Sequence, residues 1–229
     1  YTARTDPKLQ GSELSDHQRH MLDDAELTDV FFIDAQRGWA VGDRGVIWHT
    51  ENGGRQWRLQ PSGVNCRLQS VHFIDSRTGW AVGGTFALGR IAVTLLSCER
   101  STEAALDQIP RLALPQLLRV KFVSPTVGWA VGSGSSIYPS GVFRTSDGGR
   151  SWSPISAESK DWLCADFRDH HSGAAAGRLG ALSVVLTKGA IKSRIPGLGL
   201  RSIRDLRLSG ETGGWLVGAG GLVMATVDG

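Results

Sequence analysis

The chain has 229 residues, ample for a sizeable core, and its 25 Lys and Arg against 22 Asp and Glu leave a net charge of +3 with a pI near 9.0. The basic residues are spread along the chain with acids between them, short of the concentrated footprint of a nucleic-acid binder, and no apolar run approaches the roughly 18 residues needed to span a bilayer. Glycine, at 30 of 229 residues, is nearly double its usual share of roughly 7% and points to turn-dense β structure.

Residues 1–26 are polar and set Leu14, Met21 and Leu22 among charges, which reads as a linker or one short helix packed on the domain that follows. His17 and His20 can share a helix face, but no third ligand accompanies them, so no metal site is expected. From Leu27 onward one unit recurs. RGWAVG spans Arg37 to Gly42, TGWAVG Thr78 to Gly83, VGWAVG Val127 to Gly132, SGAAAG Ser172 to Gly177 and GGWLVG Gly213 to Gly218. Taking Trp39, Trp80, Trp129, Ala174 and Trp215 as one position, the steps are 41, 49, 45 and 41 residues. That is the period of roughly 40 to 50 residues expected of four-stranded propeller blades.

Each unit reads as strands and turns in a fixed order. An alternating run comes first, Val30 and Phe32, Val71 and Phe73, Val120 and Phe122, Ala165 and Phe167, Leu206 and Leu208, and its period of two marks a half-buried strand. First strands are therefore expected near Val30, Val71, Val120, Ala165 and Ile203. Turn formers follow (AQRG, SRTG, SPTVG), then Gly-Trp-Ala-Val-Gly as second strand, then VIWHT or GVFRT as third. A glycine-rich tip and a short fourth strand around Trp57 or Trp152 complete an antiparallel meander.

The tips HTENGGRQW, His49 to Trp57, and RTSDGGRSW, Arg144 to Trp152, share one layout. Asp147 can accept from backbone N–H groups of the turn, Gly148 and Gly149 can take positive φ, Thr145 can bond locally, and Trp152 folds back as an apolar clasp. Thr50, Asn52, Gly54 and Trp57 repeat these roles, with Asn replacing Asp as acceptor. Six of the eight tryptophans occupy repeated positions and are assigned to blade packing. Trp48, Trp162, Tyr138 and Phe86 are the aromatics left over for ligand stacking.

The pattern Ser/Thr-x-Asp-x-Gly-x-x-Trp, matched by Thr145, Asp147, Gly149 and Trp152, is the Asp-box or BNR repeat. Coupled to the upstream Gly-Trp-Ala-Val-Gly, residues from Leu27 to Gly229 resemble the photosystem II stability/assembly factor family. The resemblance implies an Asp-box β-propeller of typically seven blades. It also implies an extracytoplasmic location such as the thylakoid lumen or periplasm, no cofactor, and a non-enzymatic scaffold role toward an immature or partner protein, which can itself be a membrane protein. Two tips, Ser97 to Ser101 and Thr187 to Gly189, lack the glycines and the tryptophan. The final Ala225-Thr226-Val227-Asp228-Gly229 is the first half of another box, so about two further blades are expected in a longer chain.

Asp-boxes also occur in sialidases, whose chemistry needs a tyrosine nucleophile with a carboxylate partner and clamping arginines. The chain offers only Tyr1 and Tyr138, and it contains no phosphate loop, nucleophile elbow or zinc signature, so it reads as a non-enzyme. A glycan-binding or sialidase-like propeller is the alternative. Cys66, Cys98 and Cys164 lack metal-type spacing, and His170-His171 reads as a solvated turn.

The partner site follows from loop lengths. From the Gly-Trp position to the box hydroxyl the counts are 11, 17, 16, 13 and 11 residues, so variation sits between the second and third strands, the loops free to carry function. The inserts Gly84 to Arg90 and Ser133 to Ser140 lie there. The same face is expected to hold Arg44, Arg67, Arg90, Arg178, Arg201 and Lys160, unmatched by acids, with Phe86 and Tyr138 as apolar anchors for an acidic polypeptide. Arg37 and Arg77 are assigned to the opposite face.

Overall fold

The computed structural model describes residues 24–60, 62, 64–84, 94–97, 115–155, 162–186, 189–192 and 198–227, with backbone only for 94–97 and 189–192. The first sheet holds β1 (Leu27–Phe32), β2 (Gly38–Gly42), β3 (Ile47–Thr50) and β4 (Arg58–Gln60). The second holds β5 (Leu68–Phe73), β6 (Thr78–Gly83) and β7 (Thr94–Ser97), and the third β8 (Leu117–Phe122), β9 (Gly128–Gly132), β10 (Val142–Thr145) and β11 (Ser153–Pro154). The fourth holds β12 (Trp162–Phe167), β13 (Ser172–Gly177), β14 (Leu182–Leu186) and β15 (Gly189–Lys192), and the fifth β16 (Ile203–Ser209), β17 (Gly213–Gly218) and β18 (Leu222–Thr226). All pairing is antiparallel between consecutive strands, and the first strands of successive sheets pack against each other. These are propeller blades, as the period predicts.

Each first strand begins about three residues earlier than the alternation suggests, except in the last blade. The cause is a bulge: the register shifts between Leu27 and Asp29, Leu68 and Ser70, Leu117 and Arg119, Trp162 and Cys164, and Ile203 and Asp205. A bulge lets a residue out of the period of two point to the core, and Leu68, Leu117, Trp162 and Ile203 are all buried. Trp162 is therefore a core residue rather than a free aromatic, with its indole N–H donating to the Ser140 carbonyl at 2.7 Å.

The core is divided among the blade interfaces rather than gathered in one place. Trp39 of blade one stacks on Phe73 of blade two at 3.6 Å between ring centroids, Trp80 on Phe122 at 3.4 Å, and Trp129 on Phe167 at 4.7 Å. At these three interfaces a blade thus gives a Trp to the next, which answers with a Phe. The glycine ahead of each Trp makes room for the Phe of its own blade: a Cβ at Gly38, Gly79, Gly128 or Gly173 would lie 2.3 to 2.6 Å from that ring. The closing glycine answers a different crowding. A Cβ at Gly42, Gly83, Gly132 or Gly218 would come within 2.0 to 2.4 Å of a carbonyl in the chain entering the blade.

Side chains of one blade also satisfy the edge of the next. Asp29 accepts from the Val71 N–H at 3.0 Å, Ser70 from Val120 at 3.4 Å, His72 Nδ1 from Phe122 at 3.3 Å, and Asp166 from Leu208 at 2.8 Å. An edge strand otherwise offers unpaired N–H groups.

At the box tips, side chains bond back into the turn. Thr145 donates to Asp147 Oδ1 at 2.7 Å, the Ser151 N–H donates to the same oxygen at 2.9 Å, and the Gly149 N–H donates to Thr145 Oγ1 at 2.9 Å. Thr50, Asn52, Gly54 and Gln56 repeat the arrangement, and Trp57 and Trp152 stand edge-on to Phe32 and Phe122.

Candidate partner-binding face

The two rims of the propeller are built differently. On one, the box tip leans on the first hairpin turn of its own blade: the Gly53 N–H donates to the Gln36 carbonyl and the Gly148 N–H to the Thr126 carbonyl, both at 2.8 Å. Carboxylates organise these turns from within. Asp34 accepts from the N–H groups of Gln36 and Arg37, Asp75 from Arg77 and Thr78, and Asp169 from His171 and Ser172. Those backbone donors hold all three carboxyls below the ordinary aspartate range. Arg37 is spent on Asp34 at 2.6 Å. His170 and His171 lie in the Asp169 turn, exposed, as expected.

On the opposite rim, the turns between second and third strands press against the inter-blade connections. Asp43 N–H donates to Glu26, Gly84 to Arg67, Ser133 to Gln116, Gly180 to Arg201 and Ala219 to Ser202, each to a carbonyl at 2.9 to 3.1 Å. Where these turns are short, Arg44 (φ 57°) and Gly45 (φ 71°), or Leu179 (φ 54°) and Gly180 (φ 69°), take the left-handed pair of a two-residue hairpin turn. A non-glycine residue with positive φ costs backbone energy that the flanking strands must supply. The effect is to lift Arg44 and Leu179 to the tip.

The structure sorts the candidate arginines. Arg178 and Arg201 are exposed and make no ion pair with a described residue, while Arg44 is half-buried with its Nε unpaired. Arg67 differs from the expectation, because acids do match it. It pairs with Glu26 at 3.0 Å and Asp43 at 2.8 Å, fastening the first turn to the connection. Its hydrogen bond and charge pull the Glu26 carboxyl below the usual range, and Glu26 in turn raises the guanidinium. Arg67 is therefore a clamp and not a free contact.

The apolar anchors also change. Tyr138 is half-buried, packed edge-on against Phe143 at 5.4 Å, whereas its neighbour Ile137 is 71% exposed. Leu179 and Leu200 are 71% and 76% exposed, and the Gly180 hydrogen bond to Arg201 brings their segments together. Arg178, Leu179, Leu200 and Arg201 thus form one patch of two cations and two aliphatic side chains. Neither leucine is among the anchors expected from sequence; for Leu179 the signal is local, since a residue between Arg178 and Gly180 sits at a hairpin tip. Phe86, Arg90, Lys160, Cys98 and the two tips without glycines lie outside the described residues, except for the backbone of Ser97 and Gly189.

Burial raises the Cys66 thiol and pushes the buried Cys164 up to about 12. Among the described residues there is no cluster of His, Cys, Asp or Glu suited to a metal ion, and no helix long and apolar enough to cross a membrane.

Residues 13–88 match the model of the photosynthesis system II assembly factor YCF48 family. Solved structures similar to the chain include YCF48 bound to a D1 peptide, with 18% identity over 90% of this chain and 80% of that one and a TM-score of 0.50. YCF48 from Cyanidioschyzon merolae shares 19% identity over 87% of this chain and 66% of that one, with a TM-score of 0.57. An ancestral GH74 enzyme shares 15% over 85% of this chain but only 27% of its own, with a TM-score of 0.63. At such identities the structures speak for the fold alone, and no curated protein matches the sequence. Residues 13–88, which hold the first blade and the first hairpin of the second, are thus similar to that family, and the chain as a whole is a β-propeller.

Proposed function

We propose that the chain is a non-enzymatic scaffold that binds an acidic or carboxylate-bearing polypeptide on the rim carrying Arg44, Arg178 and Arg201. The observation that carries this reading is the patch of Arg178, Leu179, Leu200 and Arg201, exposed cations beside exposed aliphatic groups, where most surface arginines have only solvent or acids around them. On the opposite rim Arg37 is spent on Asp34 of its own turn. The similarity to a YCF48 solved with a D1 peptide supports a polypeptide client, and family likeness supports an extracytoplasmic setting. The packed position of Tyr138 weighs against the sialidase-like alternative, because its ring is held by Phe143 rather than presented to a substrate.

The test is fluorescence anisotropy with a labelled acidic peptide ending in a free carboxylate, alongside its C-terminal amide. Arg44→Glu, Arg178→Glu and Arg201→Glu together should weaken the carboxylate peptide at least about tenfold, a coupling of roughly 1.4 kcal/mol or more, without lowering Tm. Arg37→Glu with Arg77→Glu should leave it unchanged. Binding that survives the first set and falls with the second would move the site to the other rim.

A further inference from the structure

Three blade interfaces are filled by an indole from one side and a phenyl from the other, but the fourth is not. Between blades four and five the Trp position is Ala174 and the Phe position is Leu208. The volume those rings fill elsewhere remains as a mainly apolar slot of about 270 Å³, whose walls include Ala174, Val184, Leu208 and Met224 together with Trp215 and Thr226. An apolar cavity on the order of 150 Å³ already takes a benzene ring. Val184, in the middle of β14 and paired with Ala174, is 40% exposed in its wall, and none of Arg178, Leu179, Leu200 and Arg201 lines it.

Two charged side chains beside this interface are already engaged. In the filled interfaces the Trp N–H reaches a carbonyl of the next blade, Trp80 to Gly148 at 2.9 Å and Trp129 to Asp169 at 3.2 Å. At the fourth interface Arg168 takes over that duty, its guanidinium donating to the carbonyls of Ser209, Gly210 and Gly213. Asp166, paired across the ladder from Ala174, is spent on Lys121 and the Leu208 N–H. The slot therefore offers flat apolar walls and asks for ring surface, not for a donor or a charge.

We propose that the slot between blades four and five is a binding site for the phenyl side chain of a partner polypeptide, which completes the stack that Ala174 and Leu208 leave open. The three intact interfaces are the template for its shape. This inference does not rest on the arginine-rim reading.

Met224 lines the slot and is one of only two methionines, so its labelled methyl group is an NMR reporter with a single companion signal, from Met21. Titrating N-acetyl-phenylalaninamide should move the Met224 signal saturably and leave Met21 in place, while N-acetyl-leucinamide should bind at least about tenfold more weakly. Ala174→Trp restores the missing ring and should abolish the shift with Tm held or raised. Leu208→Phe, which narrows the slot from the other blade, should weaken it if Ala174→Trp proves too bulky to fold. A Met224 signal that does not saturate, an equal response to the leucine amide, or an undiminished response in either folded variant overturns the proposal. So does saturation by toluene with none by the capped amino acid, which would make the site one for small molecules.

Discussion

Trp80 lies face to face with Phe122, 3.4 Å between ring centroids and 3° from parallel, although the two belong to different blades. Both are essentially buried, and the indole N–H is satisfied by Gly148. Trp80→Ala should therefore cost about 3 to 5 kcal/mol, the range for deleting a buried large aromatic ring. Urea unfolding measures this. A loss below 1 kcal/mol would mean that the stack is not what joins these blades.

Phe122 is confined from its other side by Gly128, where a Cβ would stand 2.6 Å from the ring. Pressed against Trp80, the ring has nowhere to retreat. Gly128→Ala is expected to destabilise by about 1 to 3 kcal/mol through overcrowding, although alanine is usually no burden in a strand. Gly210→Ala is the contrast, because its surroundings are open and only its positive φ of 56° opposes the change.

Asp147 organises its tip by accepting from Thr145 and from both the N–H and the hydroxyl of Ser151. Asp147→Ala should lose about 1 to 3 kcal/mol while the acidic-peptide affinity stays as it was. Burial alone would raise this carboxyl, but the bonds from Ser151 and Thr145 outweigh it and hold it below the ordinary range. A depressed carboxyl stabilises the fold above its unfolded pKa and loses that contribution as pH falls through the folded value. The acid limb of the stability curve should therefore be shallower in Asp147→Asn.

His72 reports a second pH effect with its own window. Burial, followed by the nearby Lys121 and Arg207 and opposed by Asp166, lowers it from 6.5 to about 4. The neutral ring accepts from Phe122, so the folded state holds fewer protons than the unfolded chain between those values. Stability should then fall as pH drops from about 6.5 toward 4. His72→Gln keeps an acceptor without the titration and should flatten that segment of the Tm-against-pH curve. An unchanged slope would assign it to other groups.

The blade repeat is readable because each repeated residue answers a steric demand that recurs at three of the four interfaces. Two glycines, one Trp and one Phe per unit are what closely stacked sheets require, and Asp147 or Asn52 is what a tight tip requires. Trp162 escaped the reading because the bulge at Trp162 and Cys164 breaks the period of two. The acids on Arg67 escaped it because Glu26 is 41 and Asp43 is 24 residues away, and only the docking of connection on turn joins them. Exposure at Leu200 likewise depends on where the connection runs, which no local pattern records.

The directional Trp-to-Phe stacking makes the molecule a row of nearest-neighbour couplings, and among the described blades the interface between Ala174 and Leu208 is the one without a stacked ring pair. Such a row loses cooperativity first where coupling is smallest. Blade five should therefore open as a unit ahead of the others, releasing the β16 and β17 amides to hydrogen exchange while the Trp80 and Trp129 interfaces stay protected. A substitution in one interface should leave the exchange of remote interfaces almost unaltered, so damage in this fold is local by construction.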